Sequence, residues 1–420
     1  MSAPPFKRLR VLAIDHEGGH GGSSRSLYFL LSDMDRRDLD IEVWCRRPSD
    51  LTADYAAIGI PCRVAPEIPL FRAQNTLRYT VRTLLEGVSQ LLRRRRALQS
   101  LARSARDFDV IHFNYESLLL FAAWLRRKTD AAFVLHMRHC PRPSVAVAAQ
   151  ARAFSRVMDR FVFITSNERD RFAEVGGDAA RGTIIFNAAA APKAAAPHPD
   201  VPRDGRLNVA ILANGQYDRG LDRAIDICVE LAKRHRRDKF RFVVGGDATL
   251  SPRDPAPLGE LARAGRTLAD YAADRGVGDM VLFLGHVKNP EAVLAAADMT
   301  ARLTRRNDPW GRDVIESLAA GLPMLATGTW DGFLRDCVSG WLVGQFDPVA
   351  CADRLEWAEK DRGAVRRMGE AGRAHVGRVC DARARASDLR EVWRVAAVQR
   401  GARVPVADFE RMGISARYEP

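Results

Sequence analysis

Short apolar runs alternate with stretches of helical spacing along almost the whole chain, and this alternation constrains the fold more than any other feature. A strand that helices cover on both faces is apolar throughout, as in a parallel sheet. The candidate strands are residues 9–15, 41–45, 109–113, 132–136, 161–164, 183–186, 207–212, 240–244, 280–284, 323–326 and 341–343. The sequence therefore predicts an α/β protein built from doubly wound, Rossmann-like sheets.

One interruption divides this alternation into two sets. Residues 187–206 read NAAAAPKAAAPHPDVPRDGR, which is rich in Ala and Pro and has no apolar period. Such composition is typical of a linker between domains. We therefore expect a first domain over 1–188, a linker over 189–206 and a second domain over 207–395. For the tail, 396–420, a return to the first domain is one alternative.

Composition excludes several classes of protein. With 47% hydrophobic and 28% charged residues, the chain resembles an ordinary globular protein rather than a disordered or collagen-like one. Its 7 cysteines contain no Cys-x-x-Cys pair, which favours reduced thiols over a zinc ribbon or a disulfide framework. The longest apolar run, 118–125, is well short of the ~20 residues of a membrane-spanning helix. These features predict a cytoplasmic location.

The chain is strongly basic, with a formal net charge of +13. This charge has two explanations: a general preference for arginine, or attraction to anions such as nucleotide sugars and acidic lipids. Nucleic acid is disfavoured as a partner, because the sequence shows neither a known binding module nor basic residues interleaved with aromatic ones.

Two carboxylates stand out in residues 303–330, LTRRNDPWGRDVIESLAAGLPMLATGTW. Asp308 precedes a predicted helix and Glu316 lies within its first turns, with Gly311 in the turn between them. Free N–H groups at a helix start can hold a diphosphate, and carboxylates can accept hydrogen bonds from sugar hydroxyls. Two carboxylates alone favour an ordinary amphipathic helix with an N-cap aspartate.

The whole stretch, however, resembles the donor-site signature of family 4 of the retaining glycosyltransferases, which have the GT-B fold of two Rossmann-like domains facing a cleft. That signature is Glu, seven residues, Glu, small residues, Gly and Pro. Asp308 takes its first position, Glu316 its second, and residues 320–323 match its turn. The resemblance implies that Asp308 contacts the donor sugar and that Glu316 binds the ribose, with Gly311 among the donor-binding residues. The replacement of Glu by Asp bears on sugar identity more than on activity.

A second segment, 212–220, resembles the Gly-Arg…Lys-Gly segment of the same family. Arg219 matches the lysine that neutralises the donor diphosphate, and Asn214 replaces the arginine. The resemblance implies that Asn214, Gly215 and Arg219 bind the donor, with one cation fewer than usual. The alternative for Arg219 is a simple position at a helix start.

In the first half, Gly21 and Gly22 resemble the glycine pair of the family on the acceptor side, and His136 matches its cleft histidine. The resemblance implies that His136 and Asp308 are the catalytic candidates. A turn that needs positive φ and a structural histidine are the alternatives. We expect no metal and no cofactor, because no Asp-x-Asp pair stands where a metal-dependent transferase needs one. No covalent nucleophile is assigned.

One predicted helix bears on location. Its apolar residues recur at helical spacing and arginines flank them, four in a row at 93–96. The stripe consists of Leu77, Val81, Leu84, Leu85, Val88, Leu91 and Leu92. We expect it to pack on the first sheet. The alternative is peripheral contact with an anionic membrane on its inner face.

The sequence thus predicts a retaining glycosyltransferase. It would move a sugar from a nucleotide-sugar donor to a glycan or lipid-linked acceptor in bacterial surface polysaccharide or glycolipid synthesis. One alternative is an NADP-dependent oxidoreductase, in which the glycine loop at 18–24 binds the dinucleotide and Glu42, Arg46 and Arg47 follow it. The other is a non-catalytic GT-B protein that binds a glycan or a partner.

Overall fold

The computed structural model describes residues 8–17, 22–71, 73, 77–189 and 195–400. These residues form two compact units. Unit 1 contains the described residues up to Ala188 together with those from Ala382 onward, and unit 2 extends from Ala189 to Asp381.

Unit 1 contains one 7-stranded sheet in which all pairings are parallel. Its strands are β1 (Leu9–Asp15), β2 (Leu39–Cys45), β3 (Cys62–Val64), β4 (Val110–Phe113), β5 (Ala132–Met137), β6 (Arg160–Phe163) and β7 (Gly182–Ile184). They are arranged in the order β3-β2-β1-β4-β5-β6-β7. The helices, numbered along the chain, are α1 (Gly22–Ser32), α2 (Asp50–Ala57), α3 (Leu77–Arg93), α4 (Arg95–Ala105), α5 (Leu119–Leu125), α6 (Val145–Val157), α7 (Ser166–Glu174) and α15 (Ala382–Gln399).

Unit 2 repeats this architecture with a 6-stranded parallel sheet. Its strands are β8 (Leu207–Leu212), β9 (Phe240–Gly245), β10 (Val281–Gly285), β11 (Met299–Arg302), β12 (Met324–Thr327) and β13 (Gly340–Val343), in the order β10-β9-β8-β11-β12-β13. Its helices are α8 (Leu221–Lys233), α9 (Leu258–Arg263), α10 (Leu268–Asp274), α11 (Pro290–Ala295), α12 (Arg312–Ala319), α13 (Pro348–Lys360) and α14 (Arg362–Val379).

Both sheets have apolar layers on their two faces, as the continuous apolar strands predict. In unit 1, Leu12 and Phe113 pack on one face, whereas Val11 and Val110 pack on the other with α1 and α15. Each of these four side chains is fully buried. The prediction of two doubly wound Rossmann-like units is confirmed.

The last helix belongs to the first unit. We expected the second domain to reach residue 395, but α15 buries Leu389, Trp393 and Ala396 in the core of unit 1. The division therefore lies between Asp381 and Ala382. The amphipathic period of α15 shows that one face is buried but not which sheet covers it.

The expected linker also differs from the structure over its second part. Val201 is 5% exposed and packs with Ala210 and Val243 of the second sheet. The backbone N–H of His198 donates to Ala292 O at 2.9 Å. From residue 195 onward this segment is therefore part of unit 2, while residues 190–194 lie outside the described residues.

In each sheet the order of strands reverses at one point. The chain builds the first sheet outward from β1 to β3 and then resumes on the other side with β4. In the second sheet the reversal lies between β8 and β11. The loops that leave two such strands diverge and open a crevice at their carboxyl ends, where ligands of doubly wound sheets bind.

Candidate active site

The two segments singled out in the second half of the sequence meet at the reversal point of unit 2. The segment after β8 begins at Ala213, and the segment after β11 begins at Leu303. The backbone N–H of Arg305 donates to Asp218 O at 2.9 Å, which joins the two loops. The sheet order thus brings the expected donor-binding residues to one edge, although about ninety positions separate them along the chain.

Two glycines allow the loop after β8 to approach its neighbours closely. A Cβ on Gly215 would lie 2.6 Å from the carbonyl carbon of Ala248. Gly220 has φ +68°, and a Cβ there would collide with Leu303 O. Only glycine adopts the conformation of Gly220 without strain, and only glycine leaves room for the close approach at Gly215. Both positions therefore fix the path of the loop between β8 and α8.

A groove of about 570 Å³ opens beside this loop. Its lining is Asn214, Gly215, Gln216, Tyr217, Asp218, Asp247, Thr249, Ser251 and Asp254. Asn214 is exposed and Gly215 is buried. The groove is therefore polar and lies at the carboxyl ends of β8 and β9, where the expected donor-binding residues Asn214 and Gly215 form part of its wall.

Two arginines of the second loop fasten it to the first. Arg305 donates to the two carboxylate oxygens of Asp222 at 2.9 and 2.5 Å and covers the ring of Tyr217 at 3.9 Å. Arg306 donates to Asp218 Oδ2 at 2.9 and 2.5 Å. These bidentate contacts give geometric specificity as well as energy, so that the loop after β11 is held in one position.

A third arginine, Arg302, lies beneath the loop and holds two aspartates. Its side chain is 5% exposed. Nη1 donates to both carboxylate oxygens of Asp313 at 2.5 Å, and Nη2 lies 3.1 Å from Asp308 Oδ1. Nε also donates to Asp308 O at 2.7 Å. Arg302 therefore joins the loop that carries Asp308 to the first turn of α12.

The electrostatics of this cluster follow from these contacts. Burial lowers the pKa of Arg302, but Asp313 and Asp308 outweigh it and raise the pKa above its ordinary value. Burial raises the pKa of Asp313, yet Arg302 and then Arg219 hold it below its ordinary range. Arg302 and Asp313 are therefore both charged at neutral pH, and the charge of Arg219 acts on the same Asp313 carboxylate.

Only one carboxylate oxygen of Asp308 is committed to the protein. Thr304 Oγ1 donates to Oδ1 at 2.5 Å, and Arg302 contacts the same atom. Among the described residues, Oδ2 has no hydrogen-bond or ion-pair partner. Asp308 is thus fixed through Oδ1 and keeps Oδ2 for another donor.

The start of α12 requires glycine at position 311. Gly311 is the N-cap residue, with φ −70° and ψ 169°. A Cβ there would lie 2.6 Å from Arg302 Nη1, so that any larger residue would displace the pair between Arg302 and Asp313. Asp313 itself lies in the first turn, where a carboxylate is favoured by the helix dipole.

Glu316 lies one turn further along α12. Its Oε1 accepts a hydrogen bond from Arg312 Nη2 at 2.7 Å, and the Glu316 side chain is 21% exposed. The predicted spacing is confirmed, since Asp308 is on the loop and Glu316 on the helix that follows it. The structure brings Asp308, Gly311 and Glu316 together around the amino end of α12.

Arg219 differs from the other arginines of the site. It ends the short 3-10 turn Tyr217–Arg219 and is half-buried. Its guanidinium makes no hydrogen bond or ion pair with the described residues. Because its charge nevertheless acts on Asp313 in the first turn of α12, Arg219 is a cation near the amino end of this helix.

The reversal point of unit 1 carries a buried polar network. Asn114 is fully buried, and its Nδ2 donates to Asp15 Oδ1 at 3.1 Å. Arg138, 7% exposed, donates to Asn114 Oδ1 through Nε at 3.0 Å and Nη2 at 2.6 Å, and to Asn187 Oδ1 at 2.9 Å. One amide therefore lies between a buried carboxylate and a buried guanidinium.

A second group of polar side chains adjoins this network. Glu116 Oε1 accepts hydrogen bonds from the backbone N–H groups of Arg138 and His139, at 2.6 and 2.7 Å. His139 Nε2 lies 3.2 Å from Tyr115 Oη. The ring of His16 stacks on Tyr115 at 3.5 Å between centroids. Strands β1, β4 and β5 thus end in hydroxyl, imidazole and carboxylate groups.

His136 occupies a different environment from the one we expected for a substrate contact. It is 1% exposed and lies against His112, with ring centroids 5.5 Å apart. His112 in turn accepts a hydrogen bond from Trp393 Nε1 of α15 at 3.2 Å. Burial lowers the pKa of His112 to about 3 and that of His136 well below its ordinary value. Both rings are neutral and packed in the protein.

The glycine pair is only partly described. Gly22 begins α1, and its carbonyl accepts a hydrogen bond from Ser26 Oγ at 2.7 Å. Gly21, like residues 18–20 of the loop, lies outside the described residues. The prediction that Gly21 and Gly22 lie on the acceptor side therefore stays a prediction.

Sequence reasoning missed Arg302 in unit 2 and the cluster of Asp15, Asn114 and Arg138 in unit 1. One signal was available for each. Arg302 ends a strand directly before the site loop, and Asn114 and Arg138 follow strands β4 and β5. Polar residues at the carboxyl ends of parallel strands are candidates for a site.

The chain matches two families of known proteins. Residues 199–375 match the family of glycosyl transferases group 1, and residues 21–188 match the glycosyl transferase 4-like domain. A curated relative, the D-inositol 3-phosphate glycosyltransferase of Salinispora tropica, is 26% identical over 318 residues. That match covers 65% of this chain and 61% of the relative, so that it spans about three fifths of the relative's length.

Two solved structures share the fold. HepE of Anabaena in complex with UDP-glucose superposes with a TM-score of 0.70 at 16% identity, covering 91% of this chain and 99% of HepE. Sucrose-phosphate synthase of Thermosynechococcus elongatus superposes with a TM-score of 0.68 at 15% identity, covering 93% of this chain and 100% of the synthase. With both family matches and both sheets in place, the chain belongs to the GT-B glycosyltransferases of the family 4 type.

Proposed function

We propose that this protein transfers a sugar, with retention of anomeric configuration, from a nucleoside-diphosphate sugar to a hydroxyl group of a glycan or lipid-linked acceptor. The observation that carries the proposal is Arg219. It is a cation without a hydrogen-bond or ion-pair partner among the described residues, its charge acts on Asp313 in the first turn of α12, and it follows two residues that line the polar groove, Tyr217 and Asp218. HepE, which shares the fold, has been crystallised with UDP-glucose, and this supports a nucleotide-sugar donor here.

The reaction requires stabilisation of the negative charge that develops on the leaving group. Cleavage of the bond between sugar and phosphate passes through an oxocarbenium-like transition state, while charge grows on the leaving diphosphate. Arg219 and the positive end of the α12 helix dipole would stabilise this charge. Because they supply positive charge at this place, we propose that the reaction needs neither a metal ion nor another cofactor.

The two carboxylates would orient the rest of the donor. Asp308 is fixed through Oδ1, and its Oδ2 would accept a hydrogen bond from a hydroxyl of the donor sugar. Glu316, one turn into α12, would accept hydrogen bonds from the ribose. Arg302 contacts no ligand in this scheme and acts as a positioning residue for Asp308.

The acceptor would bind to unit 1. The polar groups at the ends of β1, β4 and β5 suit a ligand rich in hydroxyl groups, because they include carboxylate acceptors as well as imidazole and hydroxyl donors. The curated relative is named for an inositol phosphate acceptor, which supports a polyhydroxylated one. We place the reaction in the synthesis of bacterial surface polysaccharide or glycolipid.

A non-catalytic GT-B protein is the second candidate, since Asn214 replaces one cation of the family pattern. The NADP-dependent oxidoreductase is not retained, because both families matched are glycosyltransferases. In addition, Glu42 accepts a hydrogen bond from Trp44 Nε1 at 2.5 Å.

A binding experiment followed by a turnover experiment tests the proposal. We expect calorimetry against UDP, GDP, ADP, TDP and CMP to show binding of one nucleoside diphosphate, with the same affinity in magnesium and in chelator. The matching nucleotide sugar should then be turned over, and NMR should show the anomeric configuration of the donor in the product. Binding without turnover in the presence of varied acceptors would favour the non-catalytic protein, and inversion would contradict the retaining mechanism.

A further inference from the structure

Helix α3 of unit 1 carries an apolar stripe that the fold leaves uncovered. The exposed fractions are 71% for Leu92, 64% for Leu85, 44% for Val81, 39% for Val88 and 37% for Leu84. Spacings of three and four residues place all five on one side of the helix. We expected the seven apolar residues of α3 to pack on the first sheet; for these five that expectation is wrong, whereas Leu91 does pack against the core.

A different side of α3 makes the contacts with unit 1. Thr80 is 8% exposed, and Leu91 packs against the apolar core. Gly87 lies so close to α5 that a Cβ would meet Leu120 and would lie 3.3 Å from Leu70 O. At 3.6 residues per turn, the centre of this packed side lies about 100° around the helix axis from the centre of the exposed stripe. The stripe is therefore not an extension of the core.

Arginines border the stripe. Arg78 and Arg82 lie along one edge of α3, and the four arginines at 93–96, at the junction with α4, are all exposed. Within α3 the only acidic residue is Glu86, which pairs with Arg82 at 2.9 Å. An exposed apolar stripe with cationic margins is the pattern of a helix that lies in the plane of a lipid interface.

We propose that α3 and the arginines at 93–96 dock this protein onto the surface of an anionic lipid bilayer. The five apolar side chains of the stripe would enter the boundary between headgroups and acyl chains, while the arginines would contact lipid phosphates. Charge complementarity selects this occupant, because an apolar partner protein would not require a cluster of exposed arginines beside the contact. The proposal is independent of glycosyl transfer, and it places unit 1 next to membrane-bound acceptors.

Flotation of the full chain with lipid vesicles tests the docking surface. We expect the protein to float with vesicles that contain phosphatidylglycerol, to do so less at high salt, and to remain unbound with neutral phosphatidylcholine vesicles. The variant Leu85→Glu/Leu92→Glu should lose at least tenfold in vesicle affinity. Its control, Val349→Glu, adds a carboxylate at an apolar position that is 45% exposed on α13, and it should bind like the wild type.

A second pair of variants tests whether binding depends on the arginines beside the stripe or only on the net charge of the protein. Each arginine near a bilayer surface contributes about fivefold in affinity, so that Arg93→Gln/Arg95→Gln/Arg96→Gln should weaken binding by about a hundredfold. The matched variant Arg354→Gln/Arg366→Gln/Arg378→Gln removes the same charge from exposed arginines of α13 and α14 and should bind nearly as tightly as the wild type. Equal losses in both triple variants would overturn the proposal.

Two further outcomes would also overturn it. One is a wild-type protein that does not float with anionic vesicles. The other is a wild-type dimer in sedimentation that Leu85→Glu/Leu92→Glu converts to a monomer, which would make the stripe a self-association surface. Neither outcome depends on donor binding, so that failure here is distinguishable from failure of the proposed transferase activity. Thermal unfolding should show that the variants remain folded, since all the substituted side chains are exposed.

Discussion

The reversal points of the two sheets have the same topology but differ in how their charged side chains are paired. At the ends of β1 and β4, Asn114 lies between Asp15 and Arg138, so that a neutral amide separates the two charges. At the ends of β8 and β11, Arg302 binds Asp308 and Asp313 directly, and Arg219 is left without a protein partner among the described residues.

This difference indicates which kind of ligand each unit suits. Hydrogen bonds inside the network of unit 1 position its buried polar groups, which suits orientation of a ligand through its hydroxyl groups. In unit 2 the ionic pairs hold the loops, and the remaining charge of Arg219 stands beside a groove. An unpaired cation at the start of a helix favours an anion. Under the proposed function, the same topology would serve a polyhydroxylated acceptor in unit 1 and a charged donor in unit 2.

The largest effect is expected from removal of Arg302. Arg302→Leu leaves two partly buried aspartates without their cation, and loss of one partner of a buried pair typically destabilises by about 3–5 kcal/mol. Urea unfolding measures this loss. Arg302→Leu/Asp313→Leu should recover a large part of it, because only Asp308 then remains unpaired. A loss below about 1 kcal/mol for the single variant would show that Arg302 does not organise the loop.

Glu316 should affect donor binding rather than stability. We expect Glu316→Ala to weaken binding of the nucleoside diphosphate by about ten- to a hundredfold, since a hydrogen bond to a charged group contributes about 1.5–3 kcal/mol. Calorimetry measures the affinity. Glu370→Ala, at an exposed position of α14, is the control and should bind like the wild type. Unchanged binding in a folded Glu316→Ala protein would remove this residue from the site.

The buried histidines of unit 1 should make its stability depend on pH. The folded protein holds His112 and His136 neutral, whereas the unfolded chain protonates each with a pKa near 6.5. Above pH 6.5 both histidines are neutral in the folded and the unfolded protein, and as the pH falls below 6.5 the unfolded chain binds protons that the folded protein does not, so that stability is lost.

Between pH 7 and pH 5, the loss should be about 2 kcal/mol for each histidine. Urea unfolding at the two pH values measures it. His136→Leu should lose about half as much stability over this interval as the wild type. An identical pH dependence in the two proteins would show that His136 is not held neutral by burial.

The smallest effect is expected from restoring the cation of the family pattern. Asn214 is exposed beside the groove, and exposed ion pairs contribute about 0.2–1 kcal/mol. Asn214→Arg should therefore tighten binding of the nucleoside diphosphate by up to about fivefold, and the gain should decrease with salt. Asn214→Gln is the control for side-chain size. A decrease in affinity would show that the donor does not pass this side of the groove.

The sequence predicts the sheets well because buried parallel strands are apolar along their whole length. It does not predict β11, since Thr300 and Arg302 interrupt the apolar pattern of Met299–Arg302. The burial of Arg302 depends on Asp313, which lies on the next helix. Three arginines stand within five positions here, and local spacing does not show which of them points inward.

Long-range packing explains the other differences. Trp393 and Leu389 of α15 are buried on unit 1, although the preceding helices belong to unit 2. His136 was identified from a pattern at a strand end, but it packs against His112 from a neighbouring strand, and His112 packs in turn against Trp393 from the last helix. The contact between His112 and Trp393 joins residues 281 positions apart, and the periodicity of a single segment does not show such a contact.

The position of the donor site is tested by the effect of Arg219 on nucleotide affinity. Calorimetry should be performed with UDP on the wild type, on Arg219→Ala and on Arg253→Ala, which removes an exposed arginine near the groove; if another nucleoside diphosphate binds best, it replaces UDP. We expect a ten- to hundredfold loss for Arg219→Ala, little change for Arg253→Ala, and the same values in magnesium and in chelator. Equal affinity in the wild type and Arg219→Ala would contradict the assignment of the donor site to the reversal point of unit 2.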